Sequence, residues 1–118
     1  VSFFPPPRML ELGQDRLFEK ELFRSLGIPT PEFAPVDSAD DLARAISTLG
    51  TPLVLKTRRL GYDGKGQAIV RNGDGLEEVF RALGGRELIA EQCIPFSREV
   101  ALTAVASNGA TGAKFYPL

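Results

Sequence analysis

The sequence predicts an α+β fold. Segments with helical apolar spacing alternate with short apolar runs of strand length. Glycine or proline closes nearly every segment. Two pairs of short runs are joined as hairpins, one across a glycine-rich loop and one around Asn108-Gly109.

Taken in order, Pro5-Pro6-Pro7 fixes φ and removes three amide donors, which predicts an extended lead-in over residues 1–10. Leu17, Phe18, Leu22 and Leu26 predict a helix over 14–26, stopped by Gly27 and kept from continuing by Pro29 and Pro31. On it Arg16 and Lys20 stand four apart and project from a similar face, which with Glu19 and Glu21 nearby reads as a solvated charged surface. Phe33 to Val36 is a short strand. Asp37 or Ser38 is placed to cap a helix over 39–48 with Leu42, Ala45, Ile46 and Leu49 inward, ended by Gly50. Leu53-Val54-Leu55 reads as a buried strand and Ala68-Ile69-Val70 as its return. Asp74 is placed to cap a helix over 75–83 with Leu76, Val79, Phe80 and Leu83 inward, stopped by Gly84-Gly85. Leu88-Ile89-Ala90 is a further strand, and Val100–Val105 with Ala113–Tyr116 form the last hairpin.

Composition narrows the function. At 118 residues the chain is one domain or part of one, and 43% apolar with 25% charged residues is ordinary for a folded protein. The net charge of −1 gives no field to hold a nucleic-acid backbone. No apolar run is long enough for a membrane span, and residues 1–7 lack the charged and long apolar stretches of a signal peptide. The absence of an initiator Met predicts a chain processed or cut from something longer. The only cysteine, Cys93, has no disulfide partner and reads as a small packed hydrophobe, which fits a reducing cytoplasm. The absence of histidine excludes a His-assisted triad and every imidazole zinc site within these residues. Chemistry here rests on Lys, Arg, Asp, Glu and backbone amides.

Two segments carry such chemistry. Lys56 ends a strand and leads through Arg58 and Arg59 to Gly61-Tyr62-Asp63-Gly64-Lys65-Gly66-Gln67. Glycines at this density let backbone amides approach an anion closely, and the lysines and arginines add charge. The segment reads either as a mobile basic flap over a triphosphate or as a flexible, solvated hairpin turn. It is not a Walker A loop. The second segment, Glu91-Gln92-Cys93-Ile94-Pro95-Phe96-Ser97-Arg98-Glu99, ends a strand at a connector. It reads either as an interlobe linker holding a flat ligand through its backbone, with Glu99 accepting from ribose hydroxyls, or as an ordinary linker with a solvated acid.

Together these segments resemble the ATP-grasp family, and within it the N5-carboxyaminoimidazole ribonucleotide synthase family. The resemblance rests on residues 14–20, Leu26 to Pro31, Leu55 to Arg59, Gly61 to Gln67, Glu91-Gln92, Arg98-Glu99-Val100 and Phe115 to Leu118, in family order. It implies an ATP-grasp fragment: a lead-in over 1–14 from a missing N-terminal domain, the central small lobe over 15–95, and the first hairpin of the C-terminal lobe over 96–118. It implies that Arg16 and Lys56 contact ATP phosphates and that Gly61, Tyr62, Asp63, Gly64, Lys65, Gly66 and Gln67 form the covering loop. Glu91, Gln92, Cys93 and Ile94 would read adenine through the backbone, and Glu99 would hold the ribose. The implied parent is a cytoplasmic homodimer of purine biosynthesis. It would use ATP, Mg²⁺, bicarbonate and 5-aminoimidazole ribonucleotide, and its metal ligands would lie outside this segment. Other ATP-grasp ligases, biotin carboxylase-like or formate-using, stay open as alternatives, as does a non-catalytic nucleotide-binding module. Leu60 stands where many family members have Gly, and Ala106 where an Arg is often found.

Overall fold

A computed structural model describes residues 5–61, 65–106 and 112–116. Tyr62, Asp63 and Gly64 of the expected covering loop and the predicted Asn108-Gly109 turn lie outside the described residues.

Helix α1 (Pro7–Gln14) replaces the last four residues of the predicted extended lead-in. The prolines start this helix instead of preventing it. Pro6 is its N-cap at φ −55° and Pro7 opens its first turn, where a fixed φ is already helical and no amide donor is needed. Asp15 is extended at φ −122° and separates α1 from α2 (Arg16–Ser25). Its carboxylate accepts from the Leu17 amide at 2.9 Å, so it also caps α2. Gly27 closes α2 with φ +70°, a conformation that glycine adopts without Cβ strain.

Strand β1 (Phe33–Val36) follows, then α3 (Ala39–Leu49), capped by Ser38, whose hydroxyl accepts from the Asp41 amide. β2 (Leu53–Thr57) and β3 (Gln67–Val70) form the predicted hairpin. α4 (Leu76–Ala82) starts at Gly75 in the left-handed region. The expected Asp74 cap does not form, because the Asp74 carboxylate instead accepts from the Asn72 side chain in the preceding turn. β4 (Leu88–Gln92) ends the first sheet. β5 (Ala104–Ala106) and β6 (Ala113–Phe115) pair separately and are shorter than the predicted hairpin strands. Residues 100–103 are irregular and exposed.

The four-stranded sheet has the order β1-β4-β2-β3 and every pair is antiparallel. β4 is therefore central although it comes last in sequence. Alternation divides the sheet residues between two faces. One face carries Val36, Leu53, Leu55, Val70, Leu88 and Ala90, packed with Leu42 and Ala45 of α3 and with Leu76, Val79 and Phe80 of α4. Leu42, Leu53, Leu55 and Leu88 are fully enclosed, and each contributes roughly 1.5–3 kcal/mol by leaving water. The other face carries Phe33, Ile89, Glu91, Val54, Lys56, Ile69 and Gln67 by register. α2 covers only part of it, through Leu17 against Phe33 and Ile89, and Ile69 stays half exposed. Among the described residues no helix is long and apolar enough to cross a membrane.

Candidate functional site

The partly covered sheet face brings charged groups together. Lys56 on β2 and Glu91 on β4 share that face, and Lys56 Nζ donates to Glu91 Oε2 at 3.0 Å. Glu91 is 5% exposed, and its Oε1 has no hydrogen-bond partner among the described residues. Lys20 reaches the same Oε2 from α2 at 3.4 Å. The helix face predicted to be solvated is therefore turned inward at Lys20, whose side chain is only 15% exposed.

Arg16, one turn before Lys20, is also committed to structure. Its Nη1 donates to the Thr57 carbonyl at 2.9 Å and its Nη2 to the Gly61 carbonyl at 3.0 Å. The Arg16 amide donates to the Arg58 carbonyl at 3.0 Å. The start of α2 is thus tied to both ends of the segment leading into the glycine loop. The remaining guanidinium N–H donors of Arg16 are available to an outside acceptor. A cleft of about 570 Å³ opens beside it, with Gly13, Gln14, Arg58, Arg59 and Gly61 in its wall.

Arg58 does not lend its charge to the loop as the sequence predicts, because Asp15 takes it. Arg58 Nε lies 3.0 and 3.1 Å from the two Asp15 oxygens, and Nη2 is 2.7 Å from Oδ2. Arg59 adds a longer contact at 3.4 Å and remains half exposed. Burial alone would raise the Asp15 carboxyl. The Arg58 hydrogen bonds, the Leu17 amide and the Arg58 charge outweigh it and hold the group below its ordinary 3.8. Asp15 in turn holds Arg58 more firmly protonated.

The glycine loop is tightly held at its neck. The Thr57 amide donates to the Gly66 carbonyl at 2.8 Å. Gly66 has φ +72°, and a Cβ there would lie 2.7 Å from Thr57 Oγ1. A Cβ on Gly61 would lie 2.9 Å from Arg16 Nη2. Gly66 is therefore required by its positive φ and by close approach, whereas at Gly61 the nearest atoms are the end of the Arg16 side chain, which can shift. Lys65 is exposed, and Gln67 opens β3 opposite Lys56.

The connector is less enclosed. Glu91 stands in register with Phe33 on one side and Val54 on the other, so its backbone is spent in the ladder. The Gln92 amide donates to the Glu32 carbonyl at 2.8 Å. Cys93 and Ile94 are the first residues beyond the sheet. Cys93 is half-buried and Ile94 is 44% exposed. Glu99 is exposed and has no ion pair among the described residues. Sequence reasoning missed Asp15, the inward role of Lys20 and the carboxylate of Glu91. Asp15 falls inside the helix expected over 14–26, and only the break between α1 and α2 reveals it as a cap. No local signal marks a cross-sheet partner for Glu91. Among the described residues no group of three or more acidic, histidine or cysteine side chains is placed to hold a metal ion.

The ATP-grasp domain family matches residues 21–118. The chain is 48% identical over 119 residues to N5-carboxyaminoimidazole ribonucleotide synthase of Pseudomonas aeruginosa, covering all of this chain and 32% of that protein. The crystal structure of N5-carboxyaminoimidazole ribonucleotide synthetase from Thermus thermophilus matches with a TM-score of 0.84 and 46% identity, over 99% of this chain and 31% of that one. The Aspergillus clavatus synthase in complex with ADP and 5-aminoimidazole ribonucleotide matches with a TM-score of 0.82 and 29% identity, over 96% of this chain and 29% of that one. The chain thus spans about a third of the length of these relatives.

Proposed function

The chain belongs to the ATP-grasp family, and on that premise we propose that it is the ATP-binding part of a carboxylating ligase of purine biosynthesis. The reaction proposed is 5-aminoimidazole ribonucleotide, bicarbonate and ATP to N5-carboxyaminoimidazole ribonucleotide, ADP and phosphate. The observation that carries it is Lys56 on a partly uncovered sheet face beside the glycine loop, in a chain 48% identical to a synthase of that name.

In this reading a bicarbonate oxygen attacks the γ-phosphorus, the bond to the ADP oxygen breaks, and carboxyphosphate forms. The exocyclic amine of the ribonucleotide then attacks the carboxyl carbon, phosphate leaves, and the amine gives up a proton. The protein's share of such a transfer is positioning and charge neutralisation. Lys56 and the unused donors of Arg16 hold phosphate oxygens. Gly61 to Gln67 close over them with backbone amides, Lys65 contributing charge. Cys93 and Ile94 read the adenine edge through the backbone, and the Gln92 side chain borders it. Glu91 acts through its carboxylate instead of its backbone. Glu99 holds the ribose hydroxyls. Mg²⁺ supplies further neutralisation of the phosphates when bound, through ligands outside this segment. Residues 15–95 form the central lobe and 96–118 begin the next. The protein works in the cytoplasm, and its parent is a homodimer, which sedimentation of the full-length protein checks.

The test is ADP formation by the full-length protein with Mg·ATP and bicarbonate, with and without 5-aminoimidazole ribonucleotide. Stimulation by the ribonucleotide with a matching N5-carboxylated product is the expected result. ADP formation without that dependence would keep the ATP role and reopen the acceptor. No ADP from folded protein under either condition would favour a non-catalytic nucleotide-binding module.

A further inference from the structure

Glu91 faces more positive charge than it needs. Lys56 Nζ and Lys20 Nζ converge on its Oε2 at 3.0 and 3.4 Å, while the residue itself is 5% exposed. The two cations are held differently. Lys20 stands on α2, 15% exposed, with Nζ 6.0 Å from the centre of the Phe33 ring. Lys56 is 26% exposed and stands beside the uncovered part of the sheet. A lysine head on a flexible stem exchanges partners readily where it borders solvent.

We infer that Lys20 is a positioning residue that keeps Glu91 paired when Lys56 leaves it for a nucleotide phosphate. The inference rests on the phosphate role given to Lys56 above. A carboxylate this enclosed, stripped of its only cation, is strongly unfavourable. Were Lys56 its sole partner, every contact made by Lys56 with a phosphate would be opposed by stranding Glu91. With Lys20 on the same oxygen, the carboxylate stays paired whichever way Lys56 points. Arg16 is no third partner: its Nη atoms point to the Thr57 and Gly61 carbonyls, and only Lys20 and Lys56 pair with Glu91 among the described residues. The arrangement acts as a two-position switch in which Lys20 is fixed and Lys56 moves.

The test measures affinity for ATP and for adenosine in the full-length protein, with the melting temperature of each variant as a check of folding. Lys20→Met is expected to weaken ATP binding on the order of tenfold and to leave adenosine binding unchanged. Lys20→Arg is expected to restore most of the loss. In a Glu91→Gln background, where no carboxylate needs a holder, Lys20→Met is expected to cost less than about twofold. An equal ATP loss in both backgrounds would overturn the inference, because Lys20 would then act on the nucleotide directly. So would an equal loss for adenosine, or no loss at all. Lys56→Met separates the two levels. Unchanged ATP affinity in that variant would sink the phosphate reading itself, whereas a loss there with none in Lys20→Met would sink only the role of Lys20.

Discussion

Asp15 and Arg58, 43 residues apart, meet in a paired contact in which both carboxylate oxygens accept from the guanidinium. Asp15 is 1% exposed and also caps α2. One side chain therefore fixes where a helix begins and where the glycine loop leaves the sheet. Asp15→Asn removes the charge and leaves Arg58 unpaired in a mostly enclosed position. The expected loss is about 3 kcal/mol of unfolding free energy, read from urea denaturation of the full-length protein. A loss within error of zero would show that the contact is not structural.

The same pair sets an acid limit. The Asp15 carboxyl is held below its ordinary 3.8 in the fold, so its contribution is complete above that value. It is lost as pH falls below about 4 and through the lowered folded value. Unfolding free energy measured across this range is expected to fall more steeply for the native protein than for Asp15→Asn. Parallel curves would refute the assignment.

Lys56→Ala is expected to lower ATP-dependent turnover on the order of a hundredfold, with the melting temperature little changed. Unchanged turnover would remove Lys56 from the site.

Backbone geometry at the loop neck gives a pair of opposite expectations. Leu60 has φ +61° and is 95% exposed, so its side chain gains no packing for the strain it carries. Leu60→Gly is expected to stabilise by about 0.5–1 kcal/mol, the relief being offset in part by glycine's larger unfolded-state entropy. Gly66→Ala meets both a positive φ and Thr57 Oγ1, and is expected to destabilise by at least about 1–2 kcal/mol. Calorimetric melting of both variants checks the signs.

What the sequence disclosed follows the range of the forces involved. The helix over Arg16–Ser25, the Ser38 cap, the Gly27 and Gly50 stops and the β2–β3 hairpin depend on neighbours in sequence, and all were legible. α1 was not, because Pro6 and Pro7 carry a φ that serves an extended chain and a first helical turn equally. The Asp74 cap failed because Asn72, two residues away, competes for the same carboxylate. For the site, Lys56 and the glycines announced themselves by type and spacing. Asp15 with Arg58, and Lys20 with Glu91, could not, since each pair is joined only by the docking of α2 and its cap against the sheet.

That order also fixes when the domain is completed during synthesis. β4 is the last of the four sheet strands to emerge from the ribosome, yet it lies between β1 and β2. Until about residue 92 is released, β1 has no neighbour and the inner edge of β2 stays open. The nascent β2–β3 hairpin therefore waits with its apolar face unfilled, a window in which a chaperone or a neighbouring chain competes for it. Insertion of β4 closes the core with Leu88 and Ala90 and, in the same event, delivers Glu91 to Lys56 and Lys20. A nascent chain arrested before that strand has neither the finished core nor the charged site.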